Sequence, residues 1–549
     1  MNEFAKTGAA LGVAAVLSVL AISVKPGEAR LALFDDQGQD FFPQFTDGNA
    51  IAELELMAFR SESSSIYAFV VKRDDKQVWT IPSHGNYPAD ANEQMGKAAA
   101  MLIGLKKDSV VGDSKGRHAE YDLIDPLAEG VETEGRGKRL KLKDSAGNVL
   151  ADLIIGKEVE NKQGVYYVRL PDQKRIYKTK LAGSLSTQFA DWIETDLLKA
   201  QAFNIQKVTF DNYAVDAERG QIVPGEKLVI AKNTENKFVL TGLDAAKEET
   251  NEERANEVGT TLGDIKIVGV RPKPEGLTAR LERANGFEAQ ILGQQLRAKG
   301  YFMGRGGKMF SNEGDLLFET KSGVRYTLRF GAYVAGEGDE VTAGLGSDKP
   351  SEDAAKDSNS RYLMVTVEFV EGLIAKPLAA RLSDEELAKR KDARGMIQSI
   401  QAAVASYMTT NENKLPAALV DLTVKPAEGD ALLKELPIDP WGNAYQFQPA
   451  GESYVVLSHG ADGKAAGDAA NQDVRSDQLP LEDALATAAE EWKTYDGKVK
   501  TGQEEAESLT KRFGPWYYVI DKTLFDKLKP KRADLVKPKA EEGKPEDGK

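Results

Sequence analysis

Residues 138–156 read KRLKLKDSAGNVLADLIIG. Leu140 and Leu142 alternate with Arg139, Lys141 and Lys143, the turn-forming Ser145, Ala146, Gly147 and Asn148 interrupt the run, and residues 149–155 resume it. That pattern predicts two antiparallel strands joined by a tight turn. Residues 316–331, LLFETKSGVRYTLRFG, carry the same design, with Gly323 at the turn. Two hairpins of one design, far apart in the chain, predict two related β-rich units.

Working outward from the first hairpin, residues 52–59 (AELELMAF), 66–73 (IYAFVVKR) and 77–81 (QVWTI) are strand-like. Residues 90–105 form an Ala-rich helical pattern with Asp90 as its N-cap. After the hairpin come strands at 164–169 and 175–178, then a predicted helix over 188–198, in which Phe189, Trp192, Ile193 and Leu197 fall at helical spacing. The order recurs around the second hairpin: strands at 205–210, 227–231 and 237–240, a helix over 252–262, and strands at 315–320, 324–330 and 361–369. The fold class expected is α+β, with repeated modules at 49–200 and 201–380. The Gly-rich MGRGGKM at 303–309 lacks the spacing of a phosphate loop and reads as a hairpin turn. Residues 336–360, rich in Gly, Asp, Glu and Ser, read as an inserted loop.

Beyond residue 380 the pattern changes. Ser383 caps a long amphipathic helix through Tyr407, and a short strand-rich segment follows, so 383–480 is expected to be a separate module. Residues 481–536 should form a helical arm and a returning strand at Trp516–Ile520. The tail at 537–549 has a disordered composition.

At the other end, TGAALGVAAVLSVLAISV (7–24) carries no charge and lies between Lys6 and Lys25. Spanning a bilayer takes roughly 17–25 apolar residues, so 1–25 reads as an uncleaved transmembrane helix, 26–48 as a linker, and the body as periplasmic, anchored in the inner membrane by one pass. Phe41, Phe42 and Phe45 could dock the linker on the first module.

Bulk composition excludes several functions. The net charge of −14 opposes nucleic-acid binding, which needs clustered Lys and Arg. With no cysteine there are no disulfides, thiolate metal sites or cysteine nucleophiles. Three histidines, His84, His118 and His459, leave little material for imidazole chemistry. His84 reads as a turn residue, the Trp residues 79, 192, 441 and 516 as core anchors, and residues 248–253 as a solvated acidic face.

Two resemblances add to this reading. LPIDPWGNAY (436–445) followed by LSHGADGK (457–464) resembles the globular part of the type II secretion major pseudopilin, over residues 387–473. That resemblance implies a long helix on a small antiparallel sheet and a calcium-binding loop. The matching positions are Ser458, Asp462 and Asp473, with Asp468 a looser candidate. Hard oxygen ligands on a flexible loop suit calcium; equally, Asp, Asn and Gly suit any polar surface loop. A pseudopilin's apolar N-terminal half is missing directly before this helix, which argues against ordinary pilus assembly. Residues 40–380 and 480–536 resemble an uncharacterised family of membrane-anchored extracytoplasmic bacterial proteins, commonly encoded beside gliding-motility-type ABC transporter components. The resemblance rests on VWTIPSHGNYPADANEQ (78–94), LIIGKEV (153–159), STQFADWIETDLL (186–198), SNEGDLLFETKSGVRYTLRFG (311–331) and RFGPWYYVIDKTLFDKL (512–528).

The function expected is a non-enzymatic, membrane-anchored periplasmic scaffold, with ABC transporter components of the inner membrane as partners and calcium as the one candidate cofactor. The alternatives are a structural component of secretion pseudopili, and a hydrolase using carboxylates near 336–360. No nucleophile, base and oxyanion donor assemble in the sequence.

Overall fold

The computed structural model describes residues 3–23, 36–60, 65–130, 133–194, 196–216, 219–274, 277, 286–304, 308–334, 339–343, 360–427 and 429–539. It is a mixed α and β structure, as expected. Two large antiparallel sheets carry most of the chain.

The first sheet runs, in spatial order, Tyr87–Pro88, Trp79–Ile81, Ser65–Arg73, Glu53–Arg60, Lys138–Lys143, Val149–Glu158, Val165–Arg169, Arg175–Lys180 and Ser109–Asp113. The hairpin read from the sequence sits at its centre, with Leu140 opposite Leu153 and Leu142 opposite Ala151. Period-2 alternation turns these four side chains inward, where all are buried. The polar side is tied by Arg139, which bridges Asp152 at 2.7 Å and Asp125 at 2.9 Å.

The second sheet runs Phe238–Leu240, Lys227–Lys232, Ile205–Asp211, Asp315–Thr320, Val324–Val334, Ser360–Phe369, Trp516–Asp521 and Gly269–Pro272. The chain builds both sheets in one sequence of moves. Strands are laid to one side of a starting strand, a helix follows (Asn92–Leu102 in the first, Glu252–Gly263 in the second), the next strand joins the far edge (Ser109–Asp113, Gly269–Pro272), and a later strand pairs on the other side of the starting strand (Lys138–Lys143, Asp315–Thr320). The two sheets share one hydrophobic core, from Phe41 to Leu535. Tyr87 meets Trp516 edge-on at 5.0 Å across their junction.

Four expectations need correction. The predicted helix over 188–198 is a single 3-10 turn, Phe189–Trp192. Tertiary bonds claim the backbone beyond it: Arg512 donates to the Asp196 carbonyl at 2.8 Å and Tyr326 to that of Leu198 at 3.1 Å. Asp90 is not a cap, because helix Asn92–Leu102 begins after Ala91 and the Asp90 N–H donates to the Trp192 carbonyl at 2.8 Å. The tail is not irregular from its start, since Val536–Pro538 pairs with Glu248–Thr250; residues 540–549 lie outside the described residues. The N-terminal run does form a helix, Glu3–Ser23, yet among the described residues no helix is long and apolar enough to cross a membrane. Its described side chains, 7–19, are all exposed. Phe41 and Phe45, by contrast, are buried, Phe41 edge-on to Tyr177 at 5.1 Å.

Between strand Ser360–Phe369 and strand Trp516–Asp521, neighbours in the second sheet, the chain leaves the sheet and returns. It leaves toward helix Asp384–Thr410 and comes back along helix Leu479–Phe513. The excursion has a core of its own, built on Ala393, Ile397, Ile400 and Val404 of the outgoing helix. A three-stranded sheet, Gln446–Ala450, Ser453–Ser458 and Val474–Arg475, packs on it. Arg394 to Asp483 at 2.6 Å joins the two helices, and Arg381, just before the outgoing helix, pairs with Asp496 of the returning one.

One glycine in the first sheet is required sterically. A Cβ at Gly156 would lie 2.0 Å from the Tyr121 carbonyl oxygen, because the 121–122 backbone passes directly over the strand. Gly156→Ala should therefore cost about 3 kcal/mol, typical of overpacking that the backbone must relieve, read as a lowered thermal midpoint.

Candidate functional site

The two sequence motifs of the inserted module meet around one buried carboxylate. Asp439 is 3% exposed. The prolines at 437 and 440 and Gly442, at φ +96°, bend the chain so that Asp439 faces back on its own turn. Its Oδ1 accepts the backbone N–H groups of Trp441 (3.1 Å) and Asn443 (2.7 Å). Its Oδ2 accepts the Ser458 hydroxyl at 2.6 Å. Ser458 Oγ accepts the Gly460 N–H at 3.1 Å, and Asn443 Nδ2 donates to the Gly460 carbonyl at 3.4 Å. Buried polar groups persist only when their partners are supplied, and here each motif satisfies the other.

The long helix joins this cluster from the other side. Ser383 caps it, accepting the Glu386 N–H at 3.2 Å, and Glu386 Oε2 accepts the Trp441 indole N–H at 3.0 Å. One turn on, Arg390, 2% exposed, donates to the Gln472 carbonyl at 2.8 Å. Helix, DPWGN turn and SHGADGK loop thus form one hydrogen-bonded unit.

The loop after Ser458 is tightly wound. Gly460, Gly463, Ala466, Gly467 and Ala469 all have positive φ. For the two alanines that conformation costs of order 1 kcal/mol each, strain that collects at binding loops and turns. Within it, Asp473 is 8% exposed; its Oδ1 meets His459 Nδ1 at 3.3 Å and its Oδ2 accepts the Ala466 N–H at 3.3 Å. Asp462 is exposed, accepting the Lys464 N–H at 3.1 Å. Asp468 is exposed and starts the short turn Ala469–Asn471.

Of the four expected calcium ligands, then, Ser458 is committed to Asp439, Asp473 to His459 and the loop backbone, and Asp462 and Asp468 stand on the outside. Among the described residues no three His, Cys, Asp or Glu groups are placed to hold a metal ion. This donor arrangement does not fit a preformed calcium cage. The residue that sequence reasoning passed over is Asp439. The D-P-x-G spacing signals a side chain bonding to its own turn, but the Ser458 contact arises only in the fold.

Elsewhere, His84 lies in the turn Pro82–His84, 2% exposed, stacked on Phe189 at 4.2 Å with Nδ1 2.9 Å from Ser83 Oγ. Burial, with Arg271 nearby, pushes its pKa down to about 4, so it is neutral and structural. The loop 336–360, source of the hydrolase carboxylates, lies almost wholly outside the described residues.

This architecture defines a two-sheet body that displays an intact helix-on-sheet module. Residues 381–477 match the family described as type II secretion system (T2SS), protein G, and residues 79–280 match a domain of unknown function (DUF4340). The chain is also 33% identical over 124 residues to the type II secretion system core protein G of Pseudomonas aeruginosa, an alignment covering 20% of this chain and 87% of that protein. Through its inserted module the chain belongs to the type II secretion protein G family.

Proposed function

We propose that this protein is a non-enzymatic interaction protein that presents a protein-G-type module to an assembly of secretion-system subunits. The observation that carries this is a set of exposed apolar side chains in the segment that leads into the DPWGN turn. Val420, Val424, Leu436 and Ile438 are 50%, 65%, 49% and 69% exposed. Exposed apolar surface of this kind marks protein–protein contact. Both ends of the module run into the body rather than into an apolar filament helix, which suits a displayed subunit better than a polymerising one.

The common chain path of the two sheets supports an internal repeat, and hence a body that is itself scaffold. Helix Glu3–Ser23, with Leu11, Val13, Val16, Leu17 and Val19 each at least 60% exposed, supports attachment to an apolar phase. The partner is tested by cross-linking in cells. Capture of pseudopilin-type subunits, lost in a Val424→Asp, Ile438→Asp variant that still folds, is the expected result. Capture only of transporter subunits would favour the reading drawn from the double-sheet body, a scaffold for an ABC-type complex.

A further inference from the structure

We propose that the first sheet carries a binding pocket for a single-chain amphipathic anion, an acyl chain ending in a carboxylate. This goes beyond the interaction reading and stands independently of the inserted module. The pocket has a volume of about 250 Å³ and lies between the inner face of the sheet, helix Asn92–Leu102 and the segment after Arg175–Lys180. Its floor is apolar: Leu56 and Leu140 from adjacent strands, Met101 from the helix, and Leu181, each less than 7% exposed. A further lining position, Gly183, carries no side chain, and a Cβ there would meet nothing within 4 Å, so that part of the space stays unfilled.

Size and charge select the ligand. An apolar cavity of about 150 Å³ already accepts benzene, and a methylene occupies about as much space as a water molecule, roughly 30 Å³, so this pocket suits a chain of roughly eight to ten carbons. Around the opening stand Arg136, Lys138 and Lys157, opposed by one lining carboxylate, Asp122. Arg136 lies over the Phe59 ring at 4.4 Å and donates to the Pro126 carbonyl at 2.8 Å. Lys157 is 5.9 Å from the Tyr121 ring, and the nearby Glu120 is held by Arg117 at 2.9 Å. Lys138 and Lys157 are exposed at the mouth. A net positive rim above an apolar floor, in a chain of net charge −14, is complementary to an anionic head on an apolar tail.

Titration calorimetry of the full chain with decanoate, hexanoate and decanol, below micelle formation, tests this. Decanoate should bind saturably at one site. Each methylene removed should weaken binding about fourfold, so hexanoate should be weaker by about two orders of magnitude. Lys138→Gln with Lys157→Gln, both surface changes, should weaken decanoate about tenfold and leave decanol unchanged; Leu185→Trp, which fills the opening, should abolish both. Absence of saturable decanoate binding overturns the proposal. So does binding that neither variant alters, which would place the ligand elsewhere, for example on the exposed helix Glu3–Ser23.

Discussion

Replacing Asp439 by alanine is expected to destabilise the inserted module so that it unfolds well before the two-sheet body. The change strands three donors: the half-buried N–H groups of Trp441 and Asn443 and the buried Ser458 hydroxyl. A buried donor without a partner costs about 1–3 kcal/mol, so the loss should reach roughly 3–5 kcal/mol. A domain of this size has about 5–15 kcal/mol of total stability, and the module has its own core, so its unfolding should separate from that of the body. Calorimetry should resolve an early transition, and limited proteolysis should cut between 383 and 478. A double-mutant cycle sharpens the test. Ser458→Ala alone should be costly, yet add little once Asp439 is gone, because the two share one hydrogen bond. Additive effects would mean that the motifs stabilise the module separately.

The second large effect concerns acid. His84 titrates near 6.5 when unfolded and near 4 in the fold, where burial and Arg271 oppose its charge. Because the folded pKa is the lower one, its contribution is complete above about pH 6.5. It is lost as pH falls toward 4, where the unfolded chain binds a proton that the native state refuses. At 1.36 kcal/mol per pH unit the loss amounts to about 3 kcal/mol. His84→Phe keeps a ring against Phe189 but cannot titrate. Urea midpoints should therefore show the stability gap between wild type and variant shifting by about 3 kcal/mol between pH 7 and pH 4, in the variant's favour at low pH. A gap that does not change with pH would mean that His84 takes up its proton as readily in the fold as in the unfolded chain.

Local signals carried much of the fold. The KRLKLKDSAGNVLADLIIG hairpin, the strands on either side, helix Glu252–Gly263 and the capped helix at Ser383 all follow from period-2 or period-3.6 patterning and turn chemistry, which depend only on near neighbours in the chain. The helical spacing of Phe189, Trp192, Ile193 and Leu197 misled because these positions are buried by distant segments rather than by one helix face: Trp192 packs on Phe69 and Phe189 on His84 and Tyr87. Arg512 and Tyr326 take carbonyls that a helix would have used.

The candidate site divides in the same way. Ser458, Asp462, Asp468 and Asp473 were chosen from spacing, and sequence proximity on one loop does suggest convergence. In the fold the loop's positive-φ residues turn it so that two of the four face inward to protein partners and two outward. By itself the sequence determined the α+β class, the separate module after residue 383, and the exclusion of thiol chemistry, because composition and periodicity are properties of the chain alone. Only the tertiary structure decided that Asp439 joins the two motifs, that His84 is buried on Phe189, and that leucines from two strands and a loop, with Met101 from a helix, line a pocket. Each depends on which distant segments share a low-dielectric interior, and no local pattern encodes that pairing.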